Sequence, residues 1–225
     1  MIFLKPLIDF KDVVFYKLSG SNSMYFERNM DFEENRFPHE KLKAVSGDLQ
    51  GIIFENKYTG VPRSFFIEFN AKFAPLTYAD ETWECSFGLG WVPFPGGSWK
   101  NISRISTQEP HLLQDSEATF YMTSHDWCSL KRVHISYKER NLFHVIIEAD
   151  VDFQGYLEGD SDPHMPIKID VIAPFEGFTV DRNMFFPKPN TAADAEAVAS
   201  QFIDLESFHP PLEKKGTFKF RPKYD

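Results

Sequence analysis

The chain has 225 residues with a net charge of −9, 42% hydrophobic and 25% charged residues, the balance of a soluble globular protein large enough to bury a sizeable core. Phosphate recognition needs a clustered basic surface, so this acidic balance excludes nucleic acid from the expected partners. Phenylalanine dominates, at 24 Phe against 8 Tyr and 4 Trp, and aromatic rings fit the pleated, half-buried surface of sheets.

The first residues, "MIFLKPLIDFKD", are broken by Lys5, Pro6 and Asp9, so they lack the apolar run of a signal peptide. No stretch approaches the roughly 18–20 apolar residues of a membrane helix. A cytoplasmic protein with no membrane partner and no cofactor is expected. Cys85 and Cys128 are too few for a disulfide framework and are read as two reduced thiols.

In chain order, "DVVFYKL" at 12–18 and "LKAVSG" at 42–47 read as strands. In "SFFIEFNAKFA", Phe65, Ile67, Phe69, Ala71 and Phe73 share one face while Glu68, Asn70 and Lys72 share the other. In "TWECSFGLGW", Trp83, Cys85, Phe87, Leu89 and Trp91 line one side. A strand turns successive side chains to opposite faces, so both segments are predicted as half-buried strands.

"ISTQEPHLLQD" at 105–115 is polar enough for a linker, and "EATFYMTS" at 117–124 is a further strand. Val133, Ile135 and Tyr137 alternate, "KERN" turns, and Phe143 to Phe153 alternate again, the pattern of an antiparallel hairpin. "IKIDVIA" at 167–173 and "TFKFRP" at 217–222 complete the strands. Between them, 190–208 is rich in alanine, carries cap residues Asn190 or Thr191, and stops before "HPP"; it predicts one amphipathic helix over about 191–206.

"DLQG" at Asp48–Gly51 and "DFQG" at Asp152–Gly155 are 104 residues apart, and at the same offset Pro62 falls on Pro166. The echo points to an internal pseudo-repeat or to two similar turns. The expected fold is mainly β, an antiparallel β-sandwich or curved barrel with one C-terminal helix. A single domain over 1–225 is expected; the alternative is two similar halves, about 1–108 and 109–225.

Four places carry candidate chemistry. In "FGLGWVPFPGGSW" at 87–99, Trp91, Phe94 and Trp99 sit among glycines and prolines, which reads either as a rigid ligand platform or as a loop folding its rings over the core. "YLEGDSDPH" spaces Glu158, Asp160, Asp162 and His164 at every second position; oxygen ligands so spaced can surround calcium, yet the rest of the calcium-loop pattern is missing and a solvated turn is favoured. "TSHDWC" places His125 and Asp126 near Cys128, although a thiol nucleophile needs its base near in space. His134 and His144 fall on the polar side of the predicted hairpin; two cross-strand histidines can begin a metal site, but no third ligand is evident and surface histidines on a solvated face are the favoured reading.

No motif names a reaction. Two function classes stay open: a binding protein that recognises a protein partner or small ligand, a carbohydrate-binding module among them, through the aromatic loop; and a hydrolase or other enzyme, metal-assisted or not, drawing its acid/base groups from His125, Asp126, His134, His144 and the 158–164 loop. The first is favoured, since fold does not settle function and no catalytic signature is present.

Overall fold

The computed structural model describes residues 13–16, 25–28, 38–78, 80–122, 125–152 and 164–223. The chain divides into two compact units, Met1–Phe37 and Pro38–Asp225. In the first, strand β1 (Val13–Tyr16) pairs antiparallel with β2 (Tyr25–Arg28). Residues 105–115 lie inside the second unit.

The second unit starts with the long hairpin β3 (Ala44–Asn56) and β4 (Val61–Phe73). A small separate hairpin follows, β5 (Leu76–Tyr78) with β6 (Glu81–Trp83). Then come β7 (Ser86–Pro93), β8 (Glu117–Tyr121), β9 (His125–Glu139), β10 (Leu142–Asp152) and β11 (His164–Asp181). The wall runs β10-β9-β8-β7-β4-β3-β11, and β11 pairs back onto β10 to close a barrel of seven strands. β12 (Leu212–Lys214) and β13 (Thr217–Phe220) extend the sheet from the end of β11.

Closure depends on β11, which is 18 residues long. Its first part is antiparallel to β10, with Ile169 opposite Ile147, and its last part runs parallel to β3, with Val180 beside Ile53. The expected antiparallel barrel therefore exists with one parallel seam. Gly177 permits the change of partner, where the register shifts between Phe175 and Phe178. Its φ is +94°, and a Cβ there would collide with the Phe220 carbonyl oxygen; only glycine meets both demands.

Inward positions alternate along every long strand and carry the large apolar side chains. Leu49, Ile53, Ile67, Phe69, Phe87, Phe143, Val145 and Ile147 are all buried. Rings continue the core in edge and stacked contacts: Phe178 stacks on Phe220 at 4.4 Å and tilts against Phe65 at 5.2 Å. Such pairs add to plain area burial. Phenylalanine is abundant because a small barrel is filled by its own inward side chains.

Three predicted elements differ in detail. The strand at 82–91 is two pieces, β6 and β7, and its inward phase breaks at Trp91, which has φ +57° beside a register shift against β4. Val92, one residue on, is the buried position. The hairpin turn is tighter than "KERN": Glu139 already pairs with Leu142 across Arg140 and Asn141, and Arg140 has φ +52°. The 105–115 stretch is part of the unit. Ser106 bridges His134 and the Thr107 N–H donates to the Val133 carbonyl, so the segment lies alongside β9.

The C-terminal helix is α1 (Ala192–Ala199), shorter than expected. Thr191 Oγ1 accepts the Asp194 N–H at 3.1 Å while the Asp194 carboxylate accepts the Thr191 N–H at 2.9 Å, a reciprocal cap. These bonds hold the Asp194 carboxyl below its usual range, with the Thr191 hydroxyl bond first among the causes. The helix stops because the chain turns to Gly97, whose N–H donates to the Phe202 carbonyl and whose carbonyl accepts the Asp204 N–H. Ile203 is thus buried through a β-bridge to Gly97 rather than through a helical face.

The Asp48–Gly51 and Asp152–Gly155 echo does not extend to register. Gly51 pairs with Ile67; at the 104-residue offset that partner corresponds to Val171, which instead pairs with Val145. Gly155 lies outside the described residues. Gly51 has its own reason to be glycine: a Cβ would run into the Phe65 ring and sit 2.7 Å from the Phe178 Cβ.

Candidate functional site

The strand registers align outward side chains in two rows across the barrel wall. One row runs Asp48–Asn70–Gly88–Thr119–Trp127, and the next runs Ser46–Lys72–Ser86–Tyr121–His125. Cross-strand neighbours stand within contact distance, so each row acts as one surface strip. Gly88 has no side chain in the middle of its row, and a groove of about 530 Å³ opens there. Ser46, Asp48, Asn70, Lys72, Ser86, Thr119, Tyr121 and His125 line it. A second hollow of about 370 Å³ shares Ser46, Lys72, Ser86 and Tyr121 and continues towards Pro75 and Glu84.

The groove is chemically mixed. Asp48 accepts hydrogen bonds, Lys72 donates, and Asn70 does both. Among the described residues, the side chains of Asp48, Asn70 and Lys72 have no hydrogen-bond or ion-pair partner. At one end the Tyr121 ring, 41% exposed, packs against the His125 ring with centroids 5.1 Å apart. Trp127, 56% exposed, stands beside Thr119. Open polar groups beside exposed aromatic faces form a surface that can grip a ring carrying hydroxyl groups.

The loop rings predicted as a platform are distributed elsewhere. Trp99 is 2% exposed, stacked on Phe175 at 5.8 Å and edge-on to Phe143 and Tyr137. It belongs to the core, because the turn Trp99–Arg104, capped by Ser98, folds it inward. Trp91 packs edge-on against Phe54 and Phe66, and Phe94 packs against Phe65. Trp99 and Phe94 join one chain of ring contacts through Phe175, Phe208, Phe178 and Phe65, while Trp91 belongs to another with Phe54 and Phe66. What the segment contributes to the groove is Gly88 and the inward Phe87.

The hydrolase candidates do not converge. His125 is exposed on the outer face, whereas Asp126, the next residue, is buried. Cys128 donates only weakly, to the Asp126 carbonyl at 3.8 Å. Burial, then the Asp126 carboxylate, pushes its thiol up to about 12, and burial pushes Cys85 up to about 11. Neither thiol is an activated nucleophile. Both cysteines are free.

His134 lies opposite Ile146 and His144 opposite Ser136, so the two histidines are diagonal neighbours rather than a facing pair. His144 Nε2 instead meets Asp170 Oδ1 at 2.7 Å, a bond that lowers the Asp170 pKa. Among the described residues no group of three His, Cys, Asp or Glu side chains is placed to hold a metal. Glu158, Asp160 and Asp162 lie outside the described residues, and the backbone of His164 opens β11 opposite Asp152.

Residue reasoning passed over Asp48, Thr119 and Tyr121 and treated Asn70 and Lys72 as a solvated face. The available signal was "FGLG", in which Gly88 and Gly90 occupy outward positions of an otherwise apolar strand. Glycine inside a strand marks a close approach of something to the backbone. Among the described residues no helix is long and apolar enough to cross a membrane. No protein-family model matches the chain, and no curated protein and no solved structure matches it.

Proposed function

We propose that the protein is a non-enzymatic binding protein that holds a carbohydrate, a ring bearing several hydroxyl groups, in the groove across the outer faces of β3, β4, β7, β8 and β9. The observation that carries this reading is the pair of aligned rows, with Asp48, Asn70 and Lys72 unpartnered among the described residues and the exposed Tyr121 ring around a 530 Å³ hollow. Sugars present alternating hydroxyl groups and apolar ring faces. The amide and carboxylate suit the hydroxyls, and Tyr121 and Trp127 suit the faces. Opposite charges on Asp48 and Lys72 favour a neutral ligand over a strongly charged one.

The test is titration of the protein with a panel of neutral mono- and oligosaccharides, followed by tryptophan fluorescence and calorimetry. Saturable binding is expected, weakened about tenfold or more in Asn70→Ala and Tyr121→Ala, which corresponds to roughly 1.4 kcal/mol for each lost contact. Both residues face outward, so the melting temperature should stay close to wild type. Absence of binding at millimolar sugar, or equal binding by the Tyr121→Ala protein, would rule the reading out.

A further inference from the structure

The barrel end where β3 and β11 finish and β13 begins has a different character from the groove. Three connections meet there: the turn Lys57–Gly60, the segment Arg182–Lys188, and the turn Lys215–Gly216. They are tied to one another. Lys57 Nζ donates to the Phe186 carbonyl at 2.9 Å and lies 4.8 Å from the Phe186 ring centre. The Arg182 N–H donates to the Gly216 carbonyl at 3.0 Å. Phe185 is buried beneath Arg63, at 5.4 Å from its guanidinium, which leaves Phe186 on the outside.

Tyr58 is 103% exposed and Phe186 is 71% exposed, the two highest values among the described large hydrophobic residues; Met184 beside them is also exposed. The Tyr58 and Thr59 N–H groups both donate to Asn56 Oδ1, which fixes the turn that carries the ring outward. Around these side chains stand Lys57, Arg182, Lys188, Lys214 and Lys215, five cations against the two local acids Asp181 and Glu213. Glu55 is buried and paired with Arg63 at 2.9 Å and with Lys57 at 3.6 Å, so the three together keep one net positive charge. In a chain of net charge −9, this end is locally cationic.

We infer that this end docks onto an anionic lipid bilayer surface, with Tyr58, Met184 and Phe186 entering the interface and the lysines and Arg182 meeting the headgroups. Tyr58 and Phe186 stand exposed on turns, a placement that lets side chains enter a soft interface. Amphipathic aromatic residues and long cationic side chains are the groups that settle at the headgroup level. The acidic remainder of the molecule is repelled by the same surface, which orients this end towards it. The inference is independent of the carbohydrate reading and runs against the expectation of no membrane partner drawn from composition.

The test is co-sedimentation of the whole protein with vesicles of phosphatidylcholine alone and of phosphatidylcholine with phosphatidylserine, at low and at physiological salt. Wild type should bind the anionic vesicles, less at the higher salt, and leave the neutral ones. Each lysine near such a surface contributes about fivefold in affinity, so Lys188→Glu with Lys215→Glu should lower binding at least ~25-fold. Tyr58→Ser with Phe186→Ser should also lower it, and circular dichroism should show both pairs folded. Failure of wild type to bind anionic vesicles, equal binding to neutral ones, or an unaffected charge-reversed protein would overturn the inference. Should an acidic protein be the occupant instead, the first of these results is the one obtained.

Discussion

Cys128 shows how far adjacency in sequence is from adjacency in chemistry. His125, Asp126 and Cys128 are nearly consecutive, yet the strand sends His125 outward and Asp126 inward. The thiol is left with burial and a like-signed neighbour, and its pKa rises from 9.0 to about 12. A raised folded pKa means that the neutral thiol is the form the fold accepts. Stability from this group is complete below the unfolded pKa near 9.0 and declines as pH climbs towards the folded value. Native protein should therefore react with iodoacetamide at Cys128 about a thousandfold more slowly at pH 8 than the urea-unfolded chain, following thiolate fraction. Peptide mapping by mass spectrometry reads the rates, and fast labelling of native Cys128 would contradict the buried environment. Trp99 teaches the same lesson with the opposite sign. Its glycine- and proline-rich neighbourhood reads as a platform or, the favoured reading, as a loop folded over the core, and the ring stacks on Phe175, distant in sequence, within the core.

At the scale of elements, most strands were legible because period-two alternation is local: β4, β8 and β10 follow from their own residues. Bulges were not legible, because they depend on which strand lies alongside. Lys131 is the extra residue between the Arg132–Glu148 and Leu130–Ala149 pairs, and it moves the inward phase of β9 from even to odd numbers. Trp91 does the same in β7. The helix was overextended because Phe202 and Leu205 fit its spacing while the Gly97 bridge was invisible. Gly51 is a testable case of an element constrained by its neighbours. Gly51→Ala adds one methyl where the Phe65 ring and Phe178 Cβ already stand, and overpacking of this kind costs about 1–3 kcal/mol. Urea denaturation should show that loss, and Phe65→Leu in the same chain should recover part of it. An alanine variant as stable as wild type would show that the rings have room to move.

For the molecule as a whole, composition indicated a β-rich acidic protein but left sandwich and barrel equal, and left the groove unseen. Both depend on pairing order. Asp48, Asn70, Gly88 and Thr119 become a row only once β3, β4, β7 and β8 are neighbours, and no local pattern announces that. The barrel closes because β11 pairs with β10 and also meets β3 in parallel, Gly51–Ile53 beside Phe178–Val180, and that second contact joins segments far apart in the chain. Closing so long a loop costs entropy that is recovered only when the joint forms in full. The seam should therefore open with the whole barrel and not by local fraying. In native-state hydrogen exchange, amides within Gly51–Ile53 and Phe178–Val180 should exchange with the free energy of global unfolding and share its denaturant dependence. Among the described residues β12 pairs on one side only, with β13, so its amides should exchange orders of magnitude faster. Seam amides that exchange as fast as those of β12, with no denaturant dependence, would mean that the barrel opens at this joint while the rest stays folded. The wall carrying the groove would then be an open sheet for part of the time, and its two rows would lose the fixed spacing that the proposed recognition of a rigid ring requires.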